Sequence, residues 1–345
     1  MATDTIAPRL PAVAPPRPAA ERATAAPGRA GYRLGVVAVA AAAALWGLGG
    51  VLADGLFRHG VQPLDLVGVR TYLTAIGLGL IVVVRRGRRG KIRGPAAAPA
   101  ARPGRWPWLR RADVLGFGLS IGVANAALFI SIRLLPVAAA MVLQSLAPML
   151  VVIWECARDR SRPDPVVLAG LAAALPGVAL VAHSAGPGGA RLDPAGVLAG
   201  LVTAVGVAAF ALFGHSVTRT RGAIEANALA FGVSAAGWLL YELCHGAPSS
   251  LLHVSAAPGV LAVAVLGTLL PFVLFAWGSS RTGAACGALS VCLEPAFGAV
   301  LAWIWLGQSL GAAQIGGAVL VVGAVAAIQY SNYRKTLLPG GAKNR

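Results

Sequence analysis

Between Leu34 and Tyr330 one apolar run follows another, and among the acidic side chains Glu294 alone falls deep inside such a run. A carboxylate at the centre of a membrane-length helix costs about 2.5–3.5 kcal/mol on insertion scales and persists where it faces a cavity or a partner. Two roles are open to it: a protonatable group serving a solute or a coupling ion, or a protonated carboxyl that ties its helix to a neighbour. On its own helical face lie Gly287, Ser290, Gly298 and Leu301, so that small residues leave room and Ser290 is placed to hydrogen-bond the carboxyl group. Pro148 and Pro295 each withdraw a backbone donor, freeing the carbonyls of Gln144 and Val291. Broken backbone at membrane depth is tolerated only beside protein or water, so both prolines point at a binding site or gate. Pro271 does the same to Gly267, while Pro176 reads as a plain kink. Asn125 and Gln144 are uncharged polar groups well inside apolar runs. Either can orient a zwitterionic or amide-bearing solute, or simply bond between helices at about 0.6–2 kcal/mol. Trp46 and Trp277 can wall an apolar-sided pocket or merely pack in a core.

The elements that must position these residues follow from composition. With 57% hydrophobic and 12% charged residues over 345 positions, no water-facing surface could be covered, so the bilayer is the solvent for much of the chain. Mean hydropathy of +0.74 agrees. The formal charge of +17 does not imply nucleic acid, because the basic residues fall in the gaps between apolar runs rather than on one solvated face. Apolar continuity predicts ten helices, near 34–53, 66–84, 114–132, 137–155 and 166–182, then 196–214, 228–244, 260–278, 286–306 and 313–330. Each has the length needed for a hydrocarbon core of about 30 Å. Residues 1–33, rich in Pro, Ala and Arg, read as a disordered basic cytoplasmic tail, and 331–345 as a second basic cytoplasmic tail.

Loop charges test the count. With the N-terminus cytoplasmic, the dense run from Arg85 to Arg111 and most other basic residues collect on one side, while Arg58, Arg70, Arg133 and Arg191 fall on or near the other. That bias supports an even number of crossings with both termini inside a cell membrane. Arg70 and Arg133 lie near helix ends, where they can snorkel to the interface; a contact from Arg70 to a solute carboxylate is the alternative. Trp106, Trp108 and Trp238 read as interface anchors, and the glycine pairs Gly118/Gly122 and Gly196/Gly200 as close-packing sites. Neither the five histidines nor the four cysteines carry metal-ligand spacing, so no metal or other cofactor is expected.

An internal repeat emerges. Ser-Leu-Ala-Pro at 145–148 parallels Cys-Leu-Glu-Pro at 292–295, and Gly170 and Gly177 match Gly316 and Gly323 in separation. Two five-helix halves are implied, and because five is odd the copies must be inverted. With Leu45-Trp46-Gly47, Asp65 before Arg70, Glu294-Pro295 and Leu306-Gly307, the chain resembles the drug/metabolite transporter superfamily, specifically its EamA-type ten-helix members. The resemblance covers residues 34–330, as one repeat over 34–182 and a second over 196–330. A fainter similarity to threonine/homoserine exporters rests on Ser120, Gly122 and Asn125. Gln308 departs from the pattern, since a Glu commonly follows Leu-Gly in the family, and the ionic role of that Glu cannot be carried over.

The expected fold is thus an all-α polytopic membrane protein of two inverted five-helix repeats. The expected function is secondary transport by alternating access around a midplane cavity, in the direction of export for small metabolites such as amino acids, with Glu294 as a coupling site for protons. An intramembrane enzyme acting on a lipid or isoprenoid, and a non-transporting scaffold, stand as rivals; the first needs clustered acid, base or nucleophile residues that the chain lacks. A small-molecule substrate and the lipid bilayer are the expected partners, nucleic acid is not, and a homodimer is left open.

Overall fold

In the computed structural model, residues 29–92, 107–160, 164–183, 193–251, 256–282, 284–308 and 310–337 are described. The expected tails, as far as residue 28 and from residue 338, and the end of the arginine-rich stretch at 93–106 lie outside them. Every regular element among the described residues is helical: α1 Arg29–Arg58, α2 Pro63–Ile92, α3 Pro107–Leu134, α4 Val137–Gln144, α5 Ala147–Arg158, α6 Pro165–His183 and α7 Pro194–Arg221. These are followed by α8 Ala223–His245, α9 Ala257–Ala264, α10 Leu270–Thr282, α11 Ala284–Val291, α12 Glu294–Leu306 and α13 Ala312–Leu337. The chain is an all-α polytopic membrane protein.

Eight spans among the described residues are long and apolar enough to cross a bilayer; two of them are compound, α4 with α5 and α9 with α10. The expected fifth and ninth helices correspond to the shorter apolar segments Pro165–Leu180 and Glu294–Leu306. Several helices outrun their apolar cores. Thus α2 continues through Arg85 to Ile92, because arginine and lysine sustain a helix as it leaves the hydrocarbon. Asp193 caps α7 by accepting a 2.8 Å bond from Ala195 N, and Gly222, at φ +81°, turns the chain directly into α8. Such caps matter where backbone groups meet a poorly solvating layer.

Lateral packing relates the halves. α1 packs on α10 and α12, and correspondingly α7 packs on α3, α4 and α5; α2 pairs with α8, and α6 with α13. Each contact therefore has a counterpart when the halves are exchanged. Small residues permit the closest approaches: a methyl group on Gly49 would lie 2.7 Å from Gly267 Cα, so α1 and the α9–α10 junction meet backbone to backbone. Both expected packing pairs behave as read, Gly118 and Gly122 lying against α8, and Gly196 and Gly200 against Leu135 and Leu143. The matched glycines of α6 and α13 do not behave alike. Gly170 and Gly177 are covered by Ile328 and Gly317, whereas Gly316 and Gly323 have nothing within 4 Å.

Candidate functional site

The two halves each contain a broken helix, and the polar centre sits between the breaks. α4 ends at Gln144 and α5 restarts at Ala147 with Pro148 in its first turn; α11 ends at Val291 and α12 restarts at Glu294 with Pro295 in its first turn. The prolines thus do more than free one carbonyl. They occupy the first-turn position where a missing N–H costs nothing, and the chain resolves the conflict by ending one helix and starting another.

Glu294 is buried, 6% exposed, and its Oε1 accepts a 3.0 Å hydrogen bond from Gln144 Nε2. Two of the sequence candidates, one from each half, are therefore in direct contact. The acid also stands at the N-terminus of α12, whose free N–H groups and dipole favour negative charge. Gly47 explains why Trp46-Gly47 belongs to the same centre: a methyl group there would lie 2.8 Å from Gly298 N and 3.3 Å from Glu294 O. α1 thus lies directly against the turn that carries the acid. Gly50 and Gly298 close around Met141 from opposite sides.

The other candidates are distributed differently from the sequence reading. Ser290 donates to Cys286 O at 2.9 Å rather than to the Glu294 carboxyl, because a helical serine reaches the carbonyl four residues back on its own helix. Trp46 contacts Phe272 and Phe275 at ring separations of 5.4 and 5.5 Å, and Phe272 in turn touches Phe231 at 5.1 Å and Phe210 at 6.3 Å. Phe210 stacks on Phe117 at 4.4 Å, completing a ring-to-ring chain through α1, α10, α8, α7 and α3. Trp277 stands outside it, its ring covered by the Arg281 guanidinium 3.7 Å away. Pro271 is buried just beyond a π-turn at Val265–Leu269, which absorbs the helix bond that the proline cannot make. Trp238 packs half-buried against the core and edge-on to Tyr241.

Arg70 corrects the sequence reading most sharply. It does not snorkel: it is 5% exposed, donates to Asn125 Oδ1, and lies 4.1 Å over the Phe129 ring. Arg133, by contrast, is exposed and bonds the Val61 carbonyl, as a snorkelling residue can.

A second assembly was missed because its members flank the apolar runs. Gln308, just after α12, accepts from Val137 N at 3.0 Å and donates to Asp54 Oδ2 at 2.9 Å, while Arg58 Nε reaches the same carboxylate oxygen at 2.8 Å. One uncharged side chain thus clasps the end of α1, the start of α4 and the end of α12. Gly307, at φ +63°, supplies the left-handed turn that aims Gln308 back at them. Nearby, Ser250 Oγ and N bond Asp65 Oδ2 at 2.6 and 3.0 Å. Among the described residues, no three His, Cys, Asp or Glu side chains come together in a metal-ligand group.

Known proteins share this plan. The family model for the EamA-like transporter family matches twice, over residues 33–182 and 194–330. The Uncharacterized inner membrane transporter YicL of Salmonella typhimurium is 26% identical over 203 residues, which is 57% of this chain and 66% of that protein. A crystal structure with 21% sequence identity superposes with a TM-score of 0.53, covering 88% of this chain and 99% of its own, and shares the fold. With both halves matched in order, the chain belongs to the EamA-like transporter family.

Proposed function

We propose that this membrane transporter is a secondary carrier that exports small polar metabolites, amino acids among them, by alternating access of two inverted five-helix repeats, 34–182 and 196–330. The observation that carries the reading is the contact between Glu294 and Gln144. A buried acid with one amide partner, held between two helix interruptions contributed by opposite halves, is a place where relative movement changes a carboxyl group's surroundings. Closures supplied by both halves support it: the aromatic chain joins Trp46 and Phe117 to Phe210, Phe231, Phe272 and Phe275, and Gln308 joins the halves elsewhere. Trp46, Asn125, Gln144, Trp277, Ser290 and Glu294 remain the proposed solute-facing set, with Pro148, Pro271 and Pro295 at the breaks. Of these, Gln144 and Glu294 have the strongest geometric support and Trp277 the weakest.

Proton coupling through Glu294 completes the reading, since a carboxyl that alternates between an amide contact and a hydrated face can bind and release a proton once per cycle. An enzyme is less well supported because Glu294 is partnered by a neutral amide rather than by a second acid, base or nucleophile. The basic bias of the loops favours cytoplasmic termini in an inner membrane. The test is counter-flow of radiolabelled amino acids in proteoliposomes, with and without an imposed pH gradient. Gradient-stimulated exchange that Glu294→Gln uncouples is expected; exchange indifferent to both the gradient and the substitution would remove the coupling role, and no protein-dependent exchange of any solute would remove the transport reading.

A further inference from the structure

We infer that Arg70, Asn125 and Ser234 form a carboxylate-binding subsite, so that the transported solutes carry a single carboxylate group. The proposal deepens the transporter reading and rests on it. Arg70 on α2 is 5% exposed, and the ion pairs among the described residues are Arg58–Asp54 and Arg86–Glu225, neither of which involves it. Its one side-chain hydrogen bond goes to the neutral Asn125 Oδ1, and its Nε has no partner. The amide nitrogen of Asn125 on α3 and the hydroxyl of Ser234 on α8, itself 3% exposed, likewise have none.

These unpartnered groups belong together. Asn125 is bonded to Arg70, and Gly122 lies one turn before Asn125 on the same face of α3; a methyl group on Gly122 would sit 2.9 Å from Ser234 Oγ and 3.9 Å from Trp238 Nε1. Helices α2, α3 and α8 pack on one another, which brings the three side chains into one cluster. Of the acids on α2 and α8, Asp65 is bonded by Ser250 and Glu225 by Arg86, while Glu242 lies in the same α2–α8 seam against Gly68 and is bonded by the Tyr72 hydroxyl at 2.9 Å rather than by Arg70.

The chemistry of the cluster selects its ligand. A guanidinium N–H, an amide NH₂ and a hydroxyl all donate, and no carboxylate is bonded to them, so the complement is an anion with several acceptor lone pairs. A planar guanidinium fork fits a carboxylate edge, and one cation neutralises one negative charge, which favours a monocarboxylate or zwitterion over a dianion. The donor atoms themselves are covered, while Asn125 and Gly122 beside them are half-buried, so a solute reaches the cluster through a relative shift of these helices.

The test uses the full chain in detergent micelles, following thermal unfolding with matched acid and amide probes at tens of millimolar: propionate and propionamide, glycine and glycinamide, L-leucine and L-leucinamide, with inorganic phosphate alongside. At least one acid is expected to raise the melting temperature by a few degrees while its amide does not. Arg70→Gln should abolish the response, Arg70→Lys should keep part of it, and Asn125→Ala and Ser234→Ala should weaken it. A purely structural Arg70 would instead lower the melting temperature of the ligand-free variants and leave the acid response intact, which overturns the proposal. So does an amide equal to its acid, a response to phosphate alone as from a lipid headgroup site, or no response to any acid. Should Arg70→Gln not be recovered folded, the acid preference and its weakening in the Asn125 and Ser234 variants decide the matter. No transport occurs in micelles, so acid binding without vesicle exchange would sink the transport reading alone, and vesicle exchange of acid and amide alike would sink the subsite alone.

Discussion

Replacing Gly47 with alanine sets a methyl group 2.8 Å from Gly298 N, 3.2 Å from Gly298 Cα and 3.3 Å from Glu294 O, where ordinary contact begins at 3.4 Å. All three neighbours are backbone atoms, so no side chain can swing aside. α1 and α12 must instead separate by about half an ångström, at the overpacking cost of about 1–3 kcal/mol seen when a methyl group is forced into a filled interior. The displaced segment begins with Glu294, whose carboxyl group is held at 3.0 Å from Gln144, so the same shift stretches the bond at the polar centre. Gly47→Ala should therefore lower both the melting temperature and the transport rate per folded protein. Gly55 lies on the same helix with nothing within 4 Å of its would-be methyl group, and Gly55→Ala should be neutral or stabilising by about 0.5–1 kcal/mol through helix propensity alone. Thermal unfolding of both variants in one detergent, followed by circular dichroism, makes the comparison. If Gly47→Ala melts at or above Gly55→Ala, α1 does not press on α12 as described.

Other outcomes follow from the same geometry. Gln144→Leu leaves Glu294 Oε1 without its protein donor and should cost about 1–3 kcal/mol in thermal unfolding, more than the exposed control Leu243→Ala. Gln308→Glu places a second carboxylate against Asp54 Oδ2 and should destabilise the fold; combining it with Asp54→Asn, which restores a donor–acceptor pair, should recover most of the loss in a double-mutant cycle. Ser250→Ala removes one of the two bonds to Asp65 and should cost about 1 kcal/mol, read as faster limited proteolysis in the segment between α8 and α9.

Much of the fold was legible because the bilayer demands long apolar runs, and the repeated Leu-x-Pro segments placed both interruptions. Gln144 and Glu294 were each recognisable as polar groups in apolar surroundings, but their contact joins residues 150 positions apart and depends on how the halves pack. Ser290 misled for a local reason: spacing placed it on the Glu294 face, yet a carbonyl of its own helix was nearer. Arg70 misled for a tertiary one. Seven residues from the start of α2 it could reach the interface, and only the position of α3, with Asn125 and Phe129, keeps it inside. Asp54 and Gln308 escaped notice as a pair because each lies just past the end of an apolar run, where polar residues are unremarkable.

The glycine-lined face of α1 also bears on biosynthesis. Its closest neighbours, α10 and the start of α12, are translated more than two hundred residues after it, so α1 must wait in the membrane with Gly47 and Gly49 against lipid. The chain therefore cannot mature one repeat at a time. The part up to residue 182, released alone, would keep an open seam that only the later helices fill, which makes late-arriving segments the step that commits the whole molecule to its final form.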